Sequence, residues 1–219
     1  MNTIHLFKTK KEAIQLAGNV TKTSKMPCDS YSLPTEACIT GSKMAKIKGS
    51  ICNNCYANKG NYHRFKSNIM PMQLKRLNSI QSDNWIPAMI KLINNQPFFR
   101  WHDSGDIQSL NHFDKICKIA EAMPKTKFWI PTREYDIIKE YVKTKVIPKN
   151  LIVRLSAMFV DKAVIIPKSL QHIENVTVSN VHSKDPLGIE CESYKHGGKC
   201  NDCRKCWNSD YKTISYKVH

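Results

Sequence analysis

At 219 residues the chain has the length of one domain with at most an appendage, enough to bury a hydrophobic core without covalent staples. No run of about 18 apolar residues occurs, and the opening MNTIHLFKTKKEA lacks the apolar stretch of a secretory signal, so neither a membrane partner nor export is expected and the cytoplasm is the predicted compartment. The formal net charge of +16 points toward polyanions, but lysine carries most of it and arginine, the residue suited to gripping phosphate, stands only at Arg64, Arg76, Arg100, Arg133, Arg154 and Arg204. The accompanying abundance of Asn and Ile is what AT-rich coding produces, so charge alone is a weak pointer to nucleic acid.

In chain order, residues 1–66 show no clear periodicity and read as a Cys-rich loop region organised around a bound group. Two helices follow, over 68–80 and 83–94, the first carrying Met70, Met72, Leu74, Leu77 and Ile80. PFFRW (97–101) reads as a strand. Ser109 then caps a helix in which Leu110, Phe113, Ile116, Cys117, Ala120 and Met123 recur at helical spacing. KFWIP (127–131), NLIVRLS (150–156) and NVTVSNV (175–181) supply three more strands, with EYDIIKEYVKTK as an intervening helix. Strand starts roughly 25 to 30 residues apart match βα units. The expected fold is therefore α/β, a partial (β/α) barrel or an open parallel sheet, in a single domain. Its core spans 67–184, and the Cys-rich N-terminal region and Cys-rich tail (185–219) pack on it.

Nine cysteines with no export signal fit poorly with disulfides, since the cytosol keeps thiols reduced. Cys38, Cys52 and Cys55 form one set; Cys191, Cys200, Cys203 and Cys206 form another, ending in a C-x2-C-x2-C run like the loops of cluster-binding ferredoxins. Iron–sulfur ligation is favoured, with zinc as the alternative. Three thiols leave one iron of a [4Fe–4S] cube open and four close it, so one or two clusters are accommodated, including a single site shared between the two ends of the chain. Cys117 lies on an apolar helical stripe and reads as a small core residue, while Cys28, in a loop between Pro27 and Pro34, is ambiguous. A thioredoxin-like dithiol is rejected for CNNCY because no strand precedes it. Tyr56 and Tyr62 could shield a cluster or simply pack; His63 and Arg64 could face a ligand or form a solvated basic loop.

Ligands of parallel sheets gather at the carboxyl ends of the strands. His102, Asp103 and Asp106 stand there beside Gly105, suited to orienting a substrate or moving protons, or else to bonding turn amides. Arg133 and Arg154 are placed to clamp a carboxylate or phosphate, or to pair with Asp106. A small molecule or nucleotide is the partner this pattern suggests.

The segments CNNCYANKGNYHRF, FRWHDSGDIQS, FWIPTRE and CNDCRKCW resemble the bacteriophage gene product eighty-eight family from about Lys25 to Trp207. The resemblance implies a phage protein working in the host cytoplasm, cluster-binding and distantly similar to radical S-adenosylmethionine enzymes, with S-adenosylmethionine as a possible second cofactor. Cys52, Cys55 and Tyr56 fit the second half of the C-x3-C-x2-C loop of those enzymes, whereas Cys38 stands farther upstream. Two functions follow as expectations: an iron–sulfur redox protein or enzyme, and a zinc-stabilised basic module that binds nucleic acid.

Overall fold

The computed structural model describes residues 7–59 and 64–218. Among them, six α-helices and eight strands are arranged along the chain as α1 (Lys10–Ala17), β1 (Thr21–Lys22), β2 (Asp29–Tyr31), α2 (Ile39–Met44), α3 (Lys66–Ser79), α4 (Trp85–Ile93), β3 (Phe98–Trp101), α5 (Leu110–Ala122), β4 (Lys127–Thr132), α6 (Tyr135–Tyr141), β5 (Leu151–Ser156), β6 (Val176–His182), β7 (Ile189–Cys191) and β8 (Thr213–Lys217). The strands form one sheet in the order β1-β2-β3-β4-β5-β6-β8-β7. Only the β1–β2 pairing is antiparallel. Of the two architectures that the sequence allows, the chain adopts the open sheet.

The four central strands form where apolar residues run together and punctuation follows. All six residues of β5 are buried, as expected of a strand covered on both faces. Side chains alternate across the sheet. Phe99, Trp101, Phe128, Ile130, Leu151, Val153, Leu155, Val176 and Val178 face one side, where they join Ala13 and Ala17 of α1, Trp85, Met89 and Leu92 of α4, Phe113 and Ile116 of α5 and Ile138 of α6 in the main core. Phe98 and Trp129 face the other side, where a smaller cluster gathers Met26, Cys28, Cys206 and Trp207. Helices thus cover one face and the Cys-rich tail covers part of the other. Cys117 belongs to the helical core.

Both ends of the chain are more ordered than periodicity alone suggests. Helix α1 is closed by a capping box, in which the Glu12 amide donates to Thr9 Oγ1 (3.2 Å) and the Thr9 amide to a Glu12 carboxylate oxygen (3.3 Å). Strands β1 and β2 extend the sheet at one edge; β7 and β8 extend it at the other, with β8 inserted between β6 and β7. Arg76 of α3 secures the first edge by donating to the carbonyls of Asn19 (2.8 Å) and Ser32 (3.1 Å) and to Thr21 Oγ1 (2.8 Å).

The tail is held by Arg154. Its fully buried guanidinium donates to the carbonyls of Lys205 (3.0 Å), Cys206 (3.3 Å), Asn208 (3.2 Å) and Tyr211 (2.8 Å), and to that of Val178 on the neighbouring strand (3.4 Å). Trp207 adds an indole N–H bond to the Phe99 carbonyl (2.9 Å) and edge contacts to Phe98 and Trp129. Arg154, expected among the ligand-gripping residues, therefore has its fork occupied by backbone. Replacing it with Met should leave those carbonyls without a donor and destabilise the fold by about 3 kcal/mol. Urea unfolding measures that loss, and hydrogen exchange should quicken across 205–211 more than in the core strands.

Candidate functional site

After β2 the chain crosses the carboxyl ends of β3, β4 and β5 as a strap. The Leu33 amide donates to the Ser104 carbonyl (2.8 Å), and Ser104 Oγ returns a bond to the Leu33 carbonyl (2.9 Å). Gly105, at φ +82°, permits this crossing, because a Cβ there would lie 2.5 Å from Leu33 Cβ. At the end of β4, Glu134 accepts from the Thr40 amide (2.8 Å) and hydroxyl (2.7 Å), docking α2. Beyond β5, the Ile51 amide donates to the Met158 carbonyl (2.9 Å) and Ser50 bridges to Phe159.

This route delivers Cys38, Cys52 and Cys55 to one place. Cys38 precedes α2, and Gly41 on that helix faces its sulfur. An ideal Cβ at Gly41 would lie 2.9 Å from Cys38 Cβ, 3.5 Å from Cys38 Sγ and 3.7 Å from Cys52 Sγ. The glycine is thus what lets two thiols share a pocket. Burial pushes the Cys38 and Cys52 thiols up, and each lies within electrostatic reach of Cys55, Asp106 and Glu134, with Arg133 opposing the rise at Cys52. All nine cysteines are free. Among the described residues, no three His, Cys, Asp or Glu side chains are close enough to hold a single metal ion. Tyr56 follows Cys55 directly, and its hydroxyl donates to the Asp103 carbonyl.

The HDSGD segment divides in two. Asp103 accepts from Ser30 Oγ (2.6 Å). Asp106 accepts from the Ile107 amide (2.8 Å), Thr132 Oγ1 (2.6 Å) and the Arg133 amide (2.9 Å), tying the ends of β3 and β4 together. Burial outweighs these donors and pushes the Asp106 carboxyl up to about 6. Asp106 thus meets Arg133 through the backbone, while Arg133 Nε donates to the Ala157 carbonyl (2.9 Å). His102 turns the other way, into the helical core. It adopts a left-handed φ of 56°, bonds the Tyr31 carbonyl through Nδ1 (2.9 Å), and packs against Trp101 and His112. Arg64 is exposed two residues before α3, and Tyr62 and His63 lie outside the described residues.

The second thiol set lies on the face away from the helices. Cys191 ends β7 opposite Tyr216, whose hydroxyl is 3.3 Å from Cys206 Sγ. The Cys200 amide donates to the Lys25 carbonyl (2.9 Å), pinning the tail to the N-terminal third of the chain. Burial pushes Cys206 up to about 11, with Cys191 and Cys200 adding to the rise.

Between the two sets stands Arg100, a residue that sequence reasoning passed over. Its guanidinium carbon lies 4.6 Å from the centre of the Trp129 ring, and Nη1 is 3.2 Å from Met26 Sδ. Tyr56, Asp103, Tyr216 and Cys206 all lie within electrostatic reach of it. The only signal was the alternation within FFRW, which turns Phe98 and Arg100 away from the core that takes Phe99 and Trp101.

The sequence profile of the gene product 88 family matches residues 5–209. No curated protein and no solved structure matches at a significant level. No helix among the described residues is long and apolar enough to cross a membrane.

The buried histidines carry a pH signature. Burial presses His102 down to about 4 and His112 well below its ordinary value, so both are neutral in the fold. The unfolded chain binds more protons below pH 6.5, and stability present above that pH is lost as it falls toward 4, by about 3 kcal/mol for His102. Asp106 has the opposite sign: its raised carboxyl makes the folded chain bind more protons between pH 3.8 and 6, favouring the fold at the acid end. Urea titrations between pH 7.5 and 4.5 should show stability falling with acid. The double variant His102→Asn, His112→Gln should flatten that slope.

Proposed function

The chain belongs to the gene product 88 family over residues 5–209, and from that premise we propose that it is an iron–sulfur protein with an open [4Fe–4S] cluster on Cys38, Cys52 and Cys55. A second metal centre is held by Cys191, Cys200, Cys203 and Cys206. The observation that carries this reading is the pocket at Gly41, where a missing side chain leaves the buried Cys52 and the half-buried Cys38, both unpaired in disulfides, facing one space.

Three thiols leave one corner of a cube for a ligand, and this corner would lie at the carboxyl ends of the strands, where parallel sheets present their chemistry. A cluster there supplies single electrons, for redox or radical S-adenosylmethionine-like chemistry. Asp106 and Glu134 fix the walls, Arg133 brings positive charge beside Cys52, and Tyr56 covers the side toward Arg100. A second reading, a zinc-stabilised module that binds nucleic acid, draws on Lys43, Lys46 and Lys48, exposed on and just after the helix that follows Cys38.

Protein purified without oxygen should contain iron and acid-labile sulfide, absorb broadly in the visible and bleach on reduction. Colourless protein with stoichiometric zinc would overturn the proposal, and an affinity for single-stranded DNA that drops steeply with salt would then favour the second reading. S-adenosylmethionine added to the reduced protein should change its electron paramagnetic resonance spectrum if it takes the open corner. Gly41→Ala, which drives a methyl group against Cys38, should lose the open-site iron and keep the tail metal, as read by iron per chain.

A further inference from the structure

We propose that the substrate brought to the Cys38, Cys52 and Cys55 site is a single-stranded nucleic acid, laid along the strap that crosses the strand ends. This rests on the reading of those thiols as the working site, and it names the class of molecule they act on. Residues 37–82 contain eight lysines and arginines and no aspartate or glutamate, in a chain that has 18 acidic residues. AT-rich coding accounts for abundant lysine, but not for one segment that lacks carboxylates. The fold sharpens the contrast. On the helical face lysines are matched to carboxylates: Lys118 and Lys145 pair with Asp114 (2.9 and 2.5 Å), Lys139 with Asp136 (2.5 Å) and Lys143 with Glu140 (2.6 Å). Near the strap Lys66 pairs with Glu36 (2.7 Å), whereas Lys43, Lys46, Lys48 and Lys59 are exposed and pair with no carboxylate among the described residues. Positive charge left uncompensated on one face attracts a polyanion.

Exposed rings stand at both ends of the stretch that carries Cys52 and Cys55. Phe159 (37% exposed) lies where Ser50 bridges to it, and Tyr56 (48% exposed), its hydroxyl fixed on the Asp103 carbonyl, follows Cys55. Phe65 (47% exposed) adds a third ring beyond Lys59. Bases stack on such rings whatever their identity, while lysines track the phosphates. A strand whose phosphates follow Lys46, Lys48 and Lys59, with bases on Phe159 and Tyr56, passes over the thiol pocket. Cys52 is buried and Cys38 half-buried, so the sulfurs lie below the surface that the strand occupies. A duplex keeps its bases inside the stack, and a recessed pocket meets them only in a single strand. Arg64 is the one exposed arginine in 37–82, so recognition falls on charge and stacking rather than on arginine forks that read base edges.

The test titrates the anaerobically purified chain into a short fluorescent DNA strand of mixed sequence, the RNA strand of the same sequence, and the matching duplex, and reads anisotropy. The single strands should bind more tightly than the duplex, with log affinity falling by about 0.7 per phosphate contact for each unit of log salt. The tighter of the DNA and RNA strands identifies the nucleic acid. Lys43→Gln, Lys46→Gln and Lys48→Gln together should weaken binding about tenfold. Lys118→Gln, Lys139→Gln and Lys143→Gln, which remove the same charge from the helical face, should change it by less than about twofold. Equal losses from the two triple variants, tighter binding of the duplex, or binding to phosphatidylserine vesicles in place of every strand overturns the proposal. On the unaltered protein, ultraviolet crosslinks to the bound strand should map to Tyr56 or Phe159, and crosslinks confined to the helical face would refute the path. A chain that holds iron but binds no strand overturns the proposal alone. One that binds the strand but takes up no iron overturns instead the reading on which it rests.

Discussion

A guanidinium placed in the middle of a sheet must find hydrogen-bond acceptors, and the arrangement of this molecule follows from where Arg154 finds them. A buried cation without partners would cost several kcal/mol. Residues on the flanking strands supply one carbonyl; segment 205–211 supplies the other four. The tail is therefore drawn across the helix-free face, and its cysteines are carried to Arg100, Trp129 and the loop at Cys28. A residue with no place among the thiols decides where they stand.

The opposite end of the chain is placed by a different device. Its strap crosses three strand ends, and each crossing is marked by a bond to a different one: Ser104 after β3, Glu134 after β4, Met158 after β5. These contacts lie far apart in sequence and close together in space, so Cys38 and Cys52 arrive beside each other although thirteen residues intervene. Arg100 lies within electrostatic reach of Tyr56, the neighbour of Cys55 in the first set, and of Cys206 in the second.

Much of the central sheet was legible because its signals are local. Apolar runs at βα spacing, with Ser109 as a cap, mark β3 to β6 and α5 within a residue or two of their observed limits. Strands β1, β2, β7 and β8 were not legible, since segments such as TK, DSY and IEC are short and polar, and only their partners make them strands. Helix α1 carried a readable signal, Thr9-x-x-Glu12 with Gly18 behind it, in a stretch judged by periodicity alone. The partition of the cysteines was readable as spacing, whereas the side of the sheet each one reaches was not. Arg154 and His102 illustrate the limit. Both stand near the end of a strand, as ligand-binding residues do, yet the returning tail encloses one and a left-handed backbone turns the other inward.

The position of β8 has a consequence for biosynthesis. β7 pairs only with β8, and β8 lies between β7 and β6. When Cys191 leaves the ribosome, its strand has no neighbour to join, and the gap beside β6 stays open until residues 213–217 have emerged. Four of the nine sulfurs thus come to rest only after residues 213–217 have emerged, by which time the helical half of the molecule has had time to form.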